Sequence, residues 1–208
     1  QCWASDDTDA VERIKIQYGT SMVYPVASMG AHVSAIPNHQ VKRMTDVDFR
    51  AHVAYFGAFG YELDPNAMTE DEQEKVKEQI AFFKKYRKLI QFGTFYRLED
   101  PFEGDGNAAW MSVSPDKKQA VAAYYKVMAT PNPKLKKLLL TGLDPDKRYY
   151  CSRNDRSYYG DELMNMGLLL DMEFTGSSVR KDSITRKNSG TDAGDYTSQL
   201  YVLECVDN

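Results

Sequence analysis

The stretch QCWASDDTDAVERIKIQYG puts three carboxylates, Asp6, Asp7 and Asp9, beside Trp3 and Ser5 within nine residues. A carboxyl group next to an apolar ring is a common arrangement for a general acid/base, because the ring walls it off from water and favours its protonated form. Trp3 is placed to be that ring. The same residues also suit a helix start: Asp9 and Glu12 have capping-box spacing, and acids near a helix N-terminus are stabilised by its dipole. Capping alone accounts for the spacing, yet three acids exceed what a cap requires. The two uses therefore coexist in the reading, with one acid serving the helix and another free for proton transfer.

Other chemistry-bearing residues have plainer uses. In MGAHVSAIPNHQ, His32 reads as a satisfied core histidine, and His39 as a turn-stabilising group or a partner for a polar ligand. His32, His39 and His52, like Cys2, Cys151 and Cys205, lack metal-ligand spacing, so no metal is expected. No phosphate loop, nucleophile elbow or Ser-His-Asp motif is present, and no cofactor is expected. Trp110, Tyr124, Tyr125, Tyr149, Tyr150, Tyr158 and Tyr159 have rings suited to stacking on sugars, but a small sheet domain needs large side chains for its own core.

The elements that must position these residues divide near Gly93. Before it the pattern is helical with one short buried strand. Residues 9–18 place Val11, Ile14 and Tyr18 on one stripe, with Gly19 as a left-handed stop. Residues 28–35, apolar and small, suit a strand buried on both faces, as in a parallel sheet. A second helix is expected over 45–59 with Thr45 as cap. A third starts at Thr69, where Thr69 and Glu72 have capping-box spacing, acids fill the first turn and bases the last. Its core stripe would be Val76, Ile80, Phe83, Arg87 and Ile90. After Gly93 the period becomes two. FYRLE, AAWMSVS, QAVAAYYKVM, KLLLTGL, RYYCS and SQLYVLECV read as strands separated by turns such as EGDGN and LDPDK. An antiparallel sandwich or curled sheet is expected, interrupted by a polar surface excursion over about 176–195. A helix–buried strand–helix unit is incomplete by itself, since a parallel strand needs neighbours.

Bulk composition excludes several classes. The chain of 208 residues carries a formal net charge of −4, which disfavours a nucleic-acid partner. No apolar run reaches the ~18–20 residues of a membrane helix. Three widely spaced cysteines and the lack of a basic-then-apolar start point to reduced thiols and a cytoplasmic location.

Taken together, WASDDTDAVERIKIQYGTSMVYP (3–25), MGAHVSAIPNHQ (29–40), AYFGAFGYELD (54–64), GTFYRLEDP (93–101), AAWMSVSPDKKQAVAAYYKV (108–127), LLLTGLDP (138–145) and GDELMNMGL (160–168) resemble the C-terminal part of long bacterial α-galactosidases of glycoside hydrolase family 36. The resemblance implies an α+β fold: closing helices and last strand of a (β/α)8 barrel over 1–92, with MGAHVS as that strand, then a C-terminal antiparallel β-sandwich over 93–208. It implies a retaining enzyme that removes terminal α-galactose from melibiose- and raffinose-type oligosaccharides, without metal or nucleotide, in homotetramers. In the family's W-x-S-D motif the aspartate is the acid/base, which maps onto Asp6, with Trp3 and Ser5 at the motif's other positions and as substrate-binding candidates. The family's Lys-Trp-Asp-x-Asn nucleophile motif and its Cys-x-x-Gly sugar-contacting motif are absent from this sequence. The chain is therefore expected to be an inactive fragment of a larger enzyme; the alternative is a structural or carbohydrate-binding β module bracing a larger glycosidase.

Overall fold

The computed structural model describes residues 2–131, 133–171 and 194–206. The expected polar excursion over 176–195 falls almost wholly outside these residues.

Asp9 caps the first helix, α1 (Ala10–Ser21), accepting a hydrogen bond from the Glu12 N–H at 3.1 Å. Val11, Ile14 and Tyr18 are buried as the spacing requires. Gly19 does not end the helix, which runs on to Ser21. The next two elements are strand β1 (Gly30–Ser34) and helix α2 (Val47–Ala54). The cap of α2 is Asp46 rather than Thr45; its carboxylate accepts from the Asp48 N–H at 2.8 Å.

The helix expected over 45–59 stops early because a second strand, β2 (Ala58–Glu62), begins where it was to end. Strands β1 and β2 pair in parallel from Gly30 opposite Ala58 to Ser34 opposite Glu62. MGAHVS is thus not the last parallel strand of this chain. AFGYE escaped detection because it has no aliphatic run: Phe59 and Tyr61 pack against the helical core while Gly60 and Glu62 alternate with them.

Helix α3 (Glu70–Phe92) carries the expected capping box, with Thr69 and Glu72 bonding each other's backbone N–H at 3.2 and 3.1 Å. Its buried line is Gln79, Tyr86, Leu89 and Ile90; Arg87 is exposed, and no base lies in the last turn. The long stem of an arginine suits a stripe position by spacing, but Tyr86 takes the core side. Gly93 follows because a side chain there would strike the carbonyls of Leu89 and Val113, not because of a left-handed turn; its φ is −70°.

The remainder forms one six-stranded antiparallel sheet in the order β3-β4-β5-β10-β7-β8: Thr94–Glu99, Ala108–Val113, Gln119–Lys126, Thr197–Cys205, Arg148–Cys151 and Arg156–Tyr159. Strand β4 is buried along its whole length because both faces are covered. Trp110, Ala123, Tyr125 and Val202 face the helices and join α1, α2 and α3 in one hydrophobic cluster. Met111, Ala122, Tyr124 and Leu203 face the other way, onto Leu138, Leu140, Leu143, Leu163 and Leu168. That second layer is a two-stranded ribbon of β6 (Lys137–Leu138) and β9 (Leu168–Leu169) with helix α4 (Gly160–Asn165), not a second full sheet among the described residues. KLLLTGL reads as a strand, but past Leu138 it leaves the ribbon: Leu140 and Leu143 plug the core while Leu139 is exposed.

Gly160 opens α4 against the turn at Asp144, and a methyl group on it would collide with the Asp144 carbonyl. Gly160→Ala is expected to cost about 2 kcal/mol through forced backbone displacement, read as a lowered urea midpoint with unchanged slope. An unchanged midpoint would contradict the close approach.

Candidate active site

Cys2 forms a third parallel segment beside β1. Its N–H donates to the Ser28 carbonyl at 2.5 Å, and its own carbonyl accepts from Gly30 at 2.9 Å. Trp3, Ser5 and Asp6 thus leave the carboxyl end of one parallel segment, while β1 and β2 end nearby at Ser34 and Glu62. In α/β layers, catalytic groups gather at such carboxyl ends.

Within the loop the three acids have separate tasks. Asp7 accepts from the Asp9 N–H at 2.8 Å, and Asp9, buried, caps α1 and pairs with Arg43. Those two are structural. Asp6 is exposed, and the Trp3 indole N–H donates to its carboxylate at 2.7 Å. The expected apolar wall is thereby corrected: Trp3 meets Asp6 with its polar edge, because its ring face lies on His32, with centroids 5.1 Å apart and planes at 15°. Ser5, half-buried, shapes the loop, its Oγ accepting from the Asp7 N–H at 3.0 Å.

Sequence reasoning missed Arg13, Asn38 and Glu62. Arg13 is buried and ties the loop to β1, donating to the carbonyls of Ser5 at 3.2 Å and Gly30 at 2.5 Å. Burial lowers the pKa of its guanidinium, while Asp7 and Glu62 oppose that shift. An arginine between Val11 and Ile14 on a buried helix was the available signal. Asn38 is also buried; it bonds Thr8 at 3.0 Å and accepts from the N–H groups of Gln40 and Val41. His39 Nδ1 lies 3.3 Å from Thr8 Oγ1, in keeping with the turn-stabilising role. Glu62 Oε2 lies 2.6 Å from His32 Nε2. Burial pushes the His32 imidazole below its ordinary pKa; Glu62 opposes this and Arg13 reinforces it.

Trp110, Tyr124, Tyr125 and Tyr149 are core and offer no face to a sugar; Tyr159 is exposed. Among the described residues no group of three or more His, Cys, Asp or Glu side chains converges as metal ligands. A groove of about 430 Å³ lies on another side of α1, against the loop over 101–106, and shares no residue with Trp3, Asp6 and His32. The arrangement at Asp6 suits donation or removal of one proton at an exposed carboxyl. Double displacement at a sugar needs a second carboxylate ≈ 5–5.5 Å away.

Two family models match the chain: Melibiase over residues 1–93 and the glycosyl hydrolase family 36 C-terminal domain over residues 107–203. The α-galactosidase AgaA of Geobacillus stearothermophilus is 55% identical over 170 residues, 82% of this chain and 23% of its own length. The α-galactosidase Mel36A of Lactobacillus acidophilus is 48% identical over 206 residues, 99% of this chain and 25% of its own. An AgaA variant solved in complex with raffinose superposes with a TM-score of 0.87 at 46% identity, covering 99% of this chain and 26% of that one. The chain thus spans about a quarter of the length of these relatives.

Proposed function

Because the chain belongs to glycoside hydrolase family 36, we propose that it supplies the proton-donor side of a retaining α-galactosidase, with Asp6 as the acid/base. The observation that carries this reading is the division among the three acids. Asp7 and Asp9 serve the backbone, whereas Asp6 is exposed at the carboxyl ends of parallel segments and held by Trp3. In the first step the Asp6 carboxyl gives its proton to the glycosidic oxygen as the C1–O bond breaks, and the leaving sugar departs as an alcohol. In the second, the Asp6 carboxylate takes a proton from the water that attacks C1. The nucleophile that holds the galactosyl group between these steps is not encoded in these residues, so the 208-residue chain by itself is inactive. Raffinose and stachyose, present in AgaA complexes, support α-galactosides of that type, and melibiose, as substrates. In the same reading residues 1–92 belong to a barrel, residues 93–208 brace it, and the enzyme works as a cytoplasmic homotetramer.

The test has two arms. The purified chain is expected to release no p-nitrophenol from p-nitrophenyl α-galactoside. A chimera in which it replaces the matching quarter of AgaA is expected to hydrolyse raffinose. Turnover by the chain alone, abolished by Asp6→Asn, would overturn the incompleteness claim. A folded chimera without hydrolysis would overturn the assignment itself.

A further inference from the structure

We infer that His32 is a positioning residue for the proton donor: its ring is the plate on which Trp3 lies so that the indole N–H meets Asp6. The inference rests on the proposed role of Asp6. In the 208-residue chain Trp3 is 56% exposed, and His32 supplies the ring stacked on it. A solvent-facing indole with free torsions would deliver its N–H to Asp6 only part of the time, since an ordered side chain must overcome its own rotamer entropy.

The plate is itself fixed. His32 sits in the middle of β1, opposite Gly60 of β2, with Val33 and Ala31 pointing into the helical core on either side. Its Nε2 lies 2.6 Å from Glu62 Oε2 across the strand pair. From α1, the buried Arg13 approaches the same side and anchors the Asp6 loop to the Gly30 carbonyl. Burial and Arg13 both lower the pKa of the imidazole, against Glu62, which favours a flat uncharged face for the indole. Glu62, His32, Trp3 and Asp6 thereby lie in a row that links the end of β2 to the proton donor, drawn from three segments of the sequence but contiguous in space.

Positioning of an acid has a signature that simple loss of structure lacks. A poor leaving group such as the glucosyl unit of raffinose needs the proton, whereas p-nitrophenolate departs without it. In the AgaA chimera, His32→Ala is expected to lower kcat for raffinose about tenfold with KM little changed, and to leave p-nitrophenyl α-galactoside within about twofold. His32→Phe, which restores a flat ring opposite Gly60, is expected to regain most of the loss. Independently of catalysis, iodide quenching of the 208-residue chain reports the stack, because Trp110 is buried and Trp3 is the accessible indole. Baring the second ring face in His32→Ala is expected to raise the quenching constant roughly twofold, with His32→Phe returning it.

Equal losses on both substrates, or a His32→Phe variant as impaired as His32→Ala, would overturn the inference. So would quenching indifferent to both substitutions. If the unmodified chimera is inactive, the role of Asp6 fails, and the quenching result still decides whether His32 holds Trp3.

Discussion

Asp6→Asn in the AgaA chimera is expected to lower kcat/KM for raffinose by about 10²–10⁴-fold, the usual worth of a positioned general acid. Asparagine preserves shape, and its Oδ1 still accepts from the Trp3 N–H, so the loop built by Ser5, Asp7 and Arg13 should survive. What disappears is the transferable proton. The loss should therefore grow with the pKa of the leaving alcohol and be smallest for p-nitrophenyl α-galactoside. With that substrate the galactosyl-enzyme forms but waits for a base to activate water. Azide, which needs no base, is then expected to restore turnover and yield α-galactosyl azide, retaining the anomeric configuration. A uniform loss across leaving groups with no azide rescue would remove Asp6 from the acid/base role. Asp7→Asn is the internal contrast: its carboxylate bonds the Asp9 N–H, so the change belongs to loop geometry and not to leaving-group dependence.

The second large effect concerns stability in acid. His52 on α2 lies with Nδ1 2.7 Å from Ser198 Oγ on β10, tilted against Tyr55, while its carbonyl accepts from the Tyr125 hydroxyl at 2.7 Å. Burial pushes its pKa down to about 4; Asp48 opposes the shift, and Arg153 and Lys75 add to it. A histidine depressed on folding is neutral in both states above its unfolded pKa near 6.5, so stability there is unaffected. Below that value the unfolded chain takes up a proton that the folded chain resists. Stability falls as pH drops from about 6.5 to 4 and levels off beneath, for a total of about 3 kcal/mol. His32, also depressed, acts in the same direction. Asp48 has its pKa lowered by Lys75 and Gln79 against burial, so its contribution is lost only at still lower pH, outside this window. Urea unfolding at pH 7 and pH 4 is expected to show the drop. His52→Gln keeps a polar partner for Ser198 without a titrating group and should flatten most of it. The same pH slope in both proteins would refute the assignment.

Local patterns with strong capping or alternation were legible from sequence. The Thr69 box, the Asp9 cap and the strand runs at β4 and β5 follow from neighbours a few residues apart, and the structure keeps them. Strand β2 was hidden because its aromatic residues alternate with glycine and glutamate instead of aliphatics, and parallel pairing with β1 and packing on the helices, both between distant residues, stabilise it. The same limit applies at the site. Asp6, Trp3 and Ser5 are contiguous in sequence and were seen together. The facts that Trp3 offers its N–H edge and that His32 and Glu62 stand behind it depend on pairing between residues about thirty apart. No spacing rule carries that information.

The core that joins helices to sheet has a historical consequence. Phe56, at the turn into β2, packs 6.0 Å from Trp110, and Phe49 of α2 packs 6.4 Å from Tyr125, so each side of Gly93 sets the room available to the other. An enlarged ring on the sheet must be met by a smaller one on the helices. The two halves are thus obliged to drift as a pair, and a β domain borrowed from a distant cousin would arrive with a face cut for different helices.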